Sequence, residues 1–178
     1  MDYFYHGTGE YVETALDTMI MIIQSGGIKS KNKQKSNRHT LFNGDDYISV
    51  ARWSGMENPD VPEMLRSSFY GWIFGCPTFI ISPDIEAIHA GPYNGYSYDP
   101  SKERVSQFVD EWHVKDEIPL DKVVGIALPF IWGKDNPLAL SKIRRILEYA
   151  KVYGWKVFNS DMELIQRIEN DETYLKGK

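Results

Sequence analysis

The chain has 178 residues, a net charge of −5 and a single cysteine, Cys76. That length fits one domain spanning 1–178, and an apolar fraction of 42% with five Trp and eleven Tyr argues against disorder over most of it. The acidic balance argues against a dedicated nucleic-acid binder, and one cysteine excludes a disulfide framework or a thiolate metal cluster within the chain. The N-terminal residues Met1-Asp2-Tyr3-Phe4-Tyr5-His6 lack a basic, apolar leader, and the longest apolar run is too short for a membrane span. A cytoplasmic globular protein without a membrane partner is the expectation.

In chain order, residues 3–6 read as a short aromatic strand that runs into His6-Gly7-Thr8-Gly9. Ala15, Leu16, Met19, Ile20 and Ile23 recur at helical spacing, and Gly26-Gly27 stops that helix. The Lys-rich stretch 29–38 reads as an exposed loop. Tyr47 to Ala51 reads as a strand with Tyr47, Ser49 and Ala51 on one face. A Gly/Pro/Asn-rich loop follows at 54–62, then a helix over 63–74 and a β-branched strand over 77–82. Residues 91–102 read as a long loop interleaved with Tyr93, Tyr96 and Tyr98, and loops of this length are usually functional or mobile.

Further strands are expected at 111–114 and 123–128, with Ile118-Pro119-Leu120 as a turn between them and Glu117 before that turn. A helix at 141–153, a strand at 155–158 and a last helix at 162–168 complete the reading. Elements mix without regular βαβ alternation, which favours α+β.

Common catalytic signatures are missing. No phosphate-cradling loop, dinucleotide fingerprint or G-x-S-x-G elbow occurs, and His6, His39, His89 and His113 show no metal-ligand spacing, so no metal is expected. Cys76, between Gly75 and Pro77, reads as a buried inert thiol. Three segments stand out together: Tyr5-His6-Gly7-Thr8 at a strand end, Tyr47-Ile48-Ser49-Val50-Ala51-Arg52 after a turn, and Glu111-Trp112-His113-Val114 behind the tyrosine loop.

In that order over roughly residues 3–128, these segments resemble the NAD-dependent ADP-ribosyltransferases. The closest branch is the one with a His-Tyr-Glu set, to which diphtheria-type toxins and poly(ADP-ribose) polymerases belong. The resemblance implies a split β-sheet core with flanking helices. It implies an enzyme that cleaves the nicotinamide–ribose bond of NAD and transfers ADP-ribose to a protein or nucleic-acid acceptor.

The bond breaks through an oxocarbenium-like state, the electronic problem of glycoside hydrolysis. A fixed carboxylate stabilises that charge and holds the ribose 2′-hydroxyl, a role the resemblance carries to Glu111. His6 and Gly7 take the positions that bind the adenosine ribose and the nicotinamide amide. Thr8 and Arg52 join them as cofactor-binding candidates. Ser49 takes the slot where many relatives have tyrosine, and Tyr47, one pleat earlier, could supply the ring. On this reading His6 and Glu111 face one cleft, with His6, Tyr47 and Glu111 as the catalytic set. Asp110 and Glu117 are rival carboxylates.

Val109 stands where protein-modifying relatives carry Gln or Glu, so the acceptor is not set, nor is a role as toxin, defence or housekeeping protein. Two alternatives use the same fold. One is an NAD-using RNA 2′-phosphotransferase, which needs arginines around a phosphate. The other is a non-catalytic NAD- or ligand-binding module.

Overall fold

The computed structural model describes residues 3–9, 12–34, 46–53, 75–92, 109–160 and 162–165. The elements are β1 (Phe4–Gly7), α1 (Val12–Ser25), β2 (Gly27–Lys29), β3 (Tyr47–Trp53), β4 (Thr78–Ile81), β5 (Ile88–Pro92), β6 (Val109–Lys115), β7 (Glu117–Pro119), β8 (Val123–Leu128), α2 (Pro137–Tyr153) and β9 (Lys156–Asn159). Seven strands form one sheet in the order β5-β6-β3-β1-β4-β8-β9, while β2 and β7 form a separate pair. The only parallel pairing among these strands is β8 with β9, joined through α2; the rest are antiparallel. A large mixed sheet with two helices is a mixed α/β architecture consistent with α+β.

Strand alternation explains which side of the sheet is covered. Phe4, Ile48, Val50, Phe79, Ile81, Ile126, Leu128 and Val157 share one face and join the core with Leu16, Met19 and Ile23 of α1 and Ile143, Ile146 and Leu147 of α2. The two helices also meet each other. Lys142 donates to Asp17 at 2.9 Å and Gln24 to the Tyr149 hydroxyl at 3.2 Å.

Each helix has a definite stop. Gly26 adopts φ +88°, where a side chain would be strained, and ends α1. Gly154, at φ +70°, does the same for α2. The N-terminus of α2 is set by the Asn136 side chain, which accepts from Ala139 N at 3.0 Å, followed by Pro at the first turn. That cap starts the helix at Pro137, four residues before the expected Ser141.

Several expectations need correction. Ile118-Pro119 is not a turn: Glu117–Pro119 is strand β7, because Ile118 is fully buried opposite Ile28. The Lys-rich loop begins later than its composition suggests, since Lys29 belongs to β2 and residues 31–33 form a 3₁₀ turn. Gly91 and Pro92 end a strand, β5, that lacks alternation and was not expected. Met162 to Ile165 is not helical: Met162 sits at φ +59°, and Leu164 bridges to Phe158. The loop expected at 54–62, the helix at 63–74, the tyrosines at 93–98 and the remainder of the last helix lie outside the described residues.

The small β2–β7 ladder depends on a missing side chain. A Cβ on Gly27 would stand 2.7 Å from the Ile118 carbonyl oxygen and 2.7 Å from Glu117 Oε1. The carboxylate can swing away, but the backbone oxygen cannot. Gly27→Ala is therefore expected to destabilise the protein by about 1–3 kcal/mol, the usual cost of overpacking, measured by chemical denaturation. A neutral effect would show that this ladder opens freely.

Candidate active site

β6, β3 and β1 lie side by side, and each carries one of the three segments singled out in the sequence. The β3–β6 ladder is long and regular, with Ser49 opposite His113 and Ala51 opposite Glu111. Opposed residues point to the same face, so Tyr47, Ser49, Glu111 and His113 share the face away from the helices. Glu111 lies inside β6, not at its opening. Its carboxylate is held by two donors on one oxygen. Ser49 Oγ donates to Oε1 at 2.6 Å, and His113 Nε2 stands 3.2 Å from the same atom. Among the described residues nothing bonds Oε2. The Tyr47 ring stacks on His113 with centroids 3.8 Å apart and planes 17° from parallel.

His6 reaches the group from the other side. Tyr5 pairs with Ala51, so Tyr5 shares the Glu111 face and His6, the next residue, does not. The expected single cleft facing both side chains is therefore not what alternation produces. They meet at Ser49 instead: its carbonyl oxygen lies 2.9 Å from His6 Nδ1, and its hydroxyl holds Glu111. A carbonyl only accepts, so Nδ1 carries the proton. The contact spans the β1–β3 seam. There the ladder is pinned by one pair among the described residues, against four for β1–β4 and seven for β3–β6.

Burial holds His6 below its ordinary pKa, and the bond to the Ser49 carbonyl only partly offsets that. The ring is neutral at pH 7, with Nδ1–H donating and Nε2 left as an acceptor.

The neighbouring candidates divide. Gly7 packs against Cys76, whose Sγ would lie 3.0 Å from an added Cβ, so β1 can approach β4 closely only without a side chain there. Cys76 is buried, as expected. Thr8 is committed to structure: its Oγ1 and N both donate to the Pro77 carbonyl, at 2.7 and 3.0 Å.

Arg52 does not join the group. It sits on the helix-side face, with its guanidinium 3.8 Å from the Phe4 ring and 5.1 Å from that of Trp112. The reason is parity, since Arg52 is three residues from Ser49 on a period-two strand.

The rival carboxylates are elsewhere. Asp110 lies on the opposite face of β6, 3.5 Å from His89, and Glu117 belongs to the β2–β7 pair. His113 was missed as a site residue. Its spacing of two from Glu111, which puts both on one face of a strand, was the available signal. Among the described residues no three His, Cys, Asp or Glu side chains gather as a metal site, and no helix is long and apolar enough to cross a membrane.

The arrangement also bears on chemistry. In a serine hydrolase the hydroxyl bonds an imidazole base; here the Ser49 hydroxyl is given to a carboxylate. The Ser49 hydroxyl thus fixes one oxygen of Glu111. No family model matches the chain, and neither a curated protein nor a solved structure matches it.

The buried neutral histidine makes stability depend on pH. The unfolded chain takes up a proton at the ordinary histidine value, the folded one only at lower pH. The contribution is thus complete above about pH 6.5 and is lost as pH falls from there toward the depressed folded value. His6→Asn keeps a donor near the Ser49 carbonyl and removes the titration. Its denaturation midpoint should fall less than that of the unaltered protein between pH 7.5 and 5.5. Parallel curves would mean that His6 is not the group responsible.

Proposed function

We propose that the protein is an NAD-consuming ADP-ribosyltransferase with an ADP-ribosyltransferase-like split sheet, in which Glu111 is the catalytic carboxylate. The observation that carries this reading is that His6 and Glu111, far apart in sequence, are both bonded to Ser49, one across the β1–β3 seam and the other across the β3–β6 ladder. The residues present suit the dinucleotide. His6, buried on the helix side, serves by bonding the Ser49 carbonyl and so holding β1 beside β3. Glu111 offers Oε2 while Oε1 is held, the pattern of a carboxylate prepared for a sugar hydroxyl.

NAD would supply the scissile nicotinamide–ribose bond and a neutral leaving group. The protein's part is to hold a negative charge where positive charge develops. Ser49 and His113 fix the rotamer of Glu111, so little reorganisation is needed as the bond breaks. Tyr47, stacked on His113 beside Glu111, would present an aromatic ring to the nicotinamide. The acceptor, protein or nucleic acid, would arrive on the same face as Glu111.

Glu111→Gln preserves size and hydrogen bonding while removing charge. Nicotinamide release from NAD should fall about 100- to 1,000-fold, the usual loss for one preorganised electrostatic group. NAD affinity by calorimetry and the melting temperature should stay near their original values. A variant as fast as the unaltered protein would exclude Glu111 as the catalytic carboxylate.

A further inference from the structure

We propose that His113 is the general base that takes the proton from an incoming acceptor, and hence that the acceptor group is a neutral hydroxyl. This inference deepens the transferase reading above and rests on it.

Four observations lead to His113. It lies two residues beyond Glu111 on the same strand and face, directly opposite Ser49. Its Nε2 is 3.2 Å from Glu111 Oε1, and the two side chains are equally accessible, at 29% each. Tyr47 lies flat against its ring at 3.8 Å, so the imidazole has one orientation. Finally, the carboxylate can only accept from a neutral imidazole, which sets the proton on Nε2 and leaves Nδ1 with a lone pair.

This is the arrangement of an oriented base: a carboxylate fixes the tautomer, an aromatic ring fixes the plane, and the second nitrogen is the acceptor. Ser49 adds a further constraint. By donating to the same Oε1 at 2.6 Å, it keeps Glu111 in place when His113 becomes charged.

The step balances without another reactant. The acceptor oxygen forms a bond to the ribose anomeric carbon, and the carbon–nitrogen bond to nicotinamide breaks. That electron pair leaves with nicotinamide, and the hydroxyl proton passes to His113 Nδ1. The resulting imidazolium is paired with the Glu111 carboxylate. An acceptor already ionised at neutral pH would need no such base. A hydroxyl, whether of a side chain, a ribose or water, does need it.

The test uses NAD with two small nucleophiles, methanol and azide. Methanol must lose a proton to give methyl ADP-ribose. Azide is an anion at neutral pH and reacts without losing one. The variant is His113→Gln, whose amide can still donate to Glu111 but cannot act as a base.

Nicotinamide release in water and in methanol should fall about 100-fold or more, the usual contribution of a general base. Azide should restore release, and ADP-ribosyl azide should appear by mass spectrometry. Calorimetric NAD affinity and melting temperature should not change. His113→Asn provides a second variant if the first folds poorly.

Undiminished methanolysis in the folded variant overturns the proposal. So does a loss that azide does not rescue, because His113 would then act only by positioning Glu111. If the unaltered protein releases no nicotinamide with either nucleophile, the transferase reading fails and this inference with it.

Discussion

Ser49 is bonded at both of its ends, and the geometry of the site follows from that. Its carbonyl receives the His6 Nδ1 proton across the β1–β3 seam, and its hydroxyl is donated to Glu111 across the β3–β6 ladder. A residue without a short side-chain donor could keep the first bond, which is made by backbone, but not the second. A larger side chain in this slot would also crowd His113, which lies directly opposite. The hydroxyl is thus the smallest group that ties β3 to the carboxylate while leaving room for the Tyr47–His113 stack.

That tie depends on strand register. A slip of one residue between β3 and β6 would turn Glu111 and His113 toward the helices and bring Trp112 to the outer face. Burial resists it: Ile48, Val50 and Val114 are each at most 6% exposed on the helix side, and Phe4 and Arg52 pack around Trp112 there. The apolar face of the sheet therefore aims the polar one. β1 is anchored differently. Its four pairs with β4 and the Thr8 bonds to Pro77 hold it from one side, so its other edge, toward β3, can be sparsely paired without the strand coming loose.

Much of this was legible in the chain, and the exceptions have physical causes. The apolar spacing of α1, the alternation in β3 and the β-branched run of β4 and β8 each encode an element locally, and each is found where the pattern puts it. β5 and β7 were not legible, because Ile88–Pro92 and Glu117–Pro119 contain Gly or Pro and have no period of their own. They are strands because β6 and β2 offer them partners. The short segment after β9 read as a helix from its apolar residues, yet its backbone is spent on Asn159 and Val157.

For the candidate site, residue types and order picked out three segments that fold onto neighbouring strands, but facing did not follow from order. Arg52 was included by adjacency and removed by parity. His6 and Glu111 were expected in one cleft and instead approach Ser49 from opposite sides of the sheet. His113 was visible beside Glu111 but acquires meaning only from the Tyr47 ring, which a linear reading does not bring to it.

The central claim is that NAD binds at Glu111, on the sheet face away from the helices. The most direct measurement is a crystal structure of the Glu111→Gln protein, slow enough to retain the intact dinucleotide, soaked with NAD. The account predicts electron density for NAD on the sheet face that carries Glu111, with the nicotinamide ribose 2′-hydroxyl bonded to the side chain at position 111. A dinucleotide bound elsewhere, or no bound dinucleotide at saturating NAD, would contradict it.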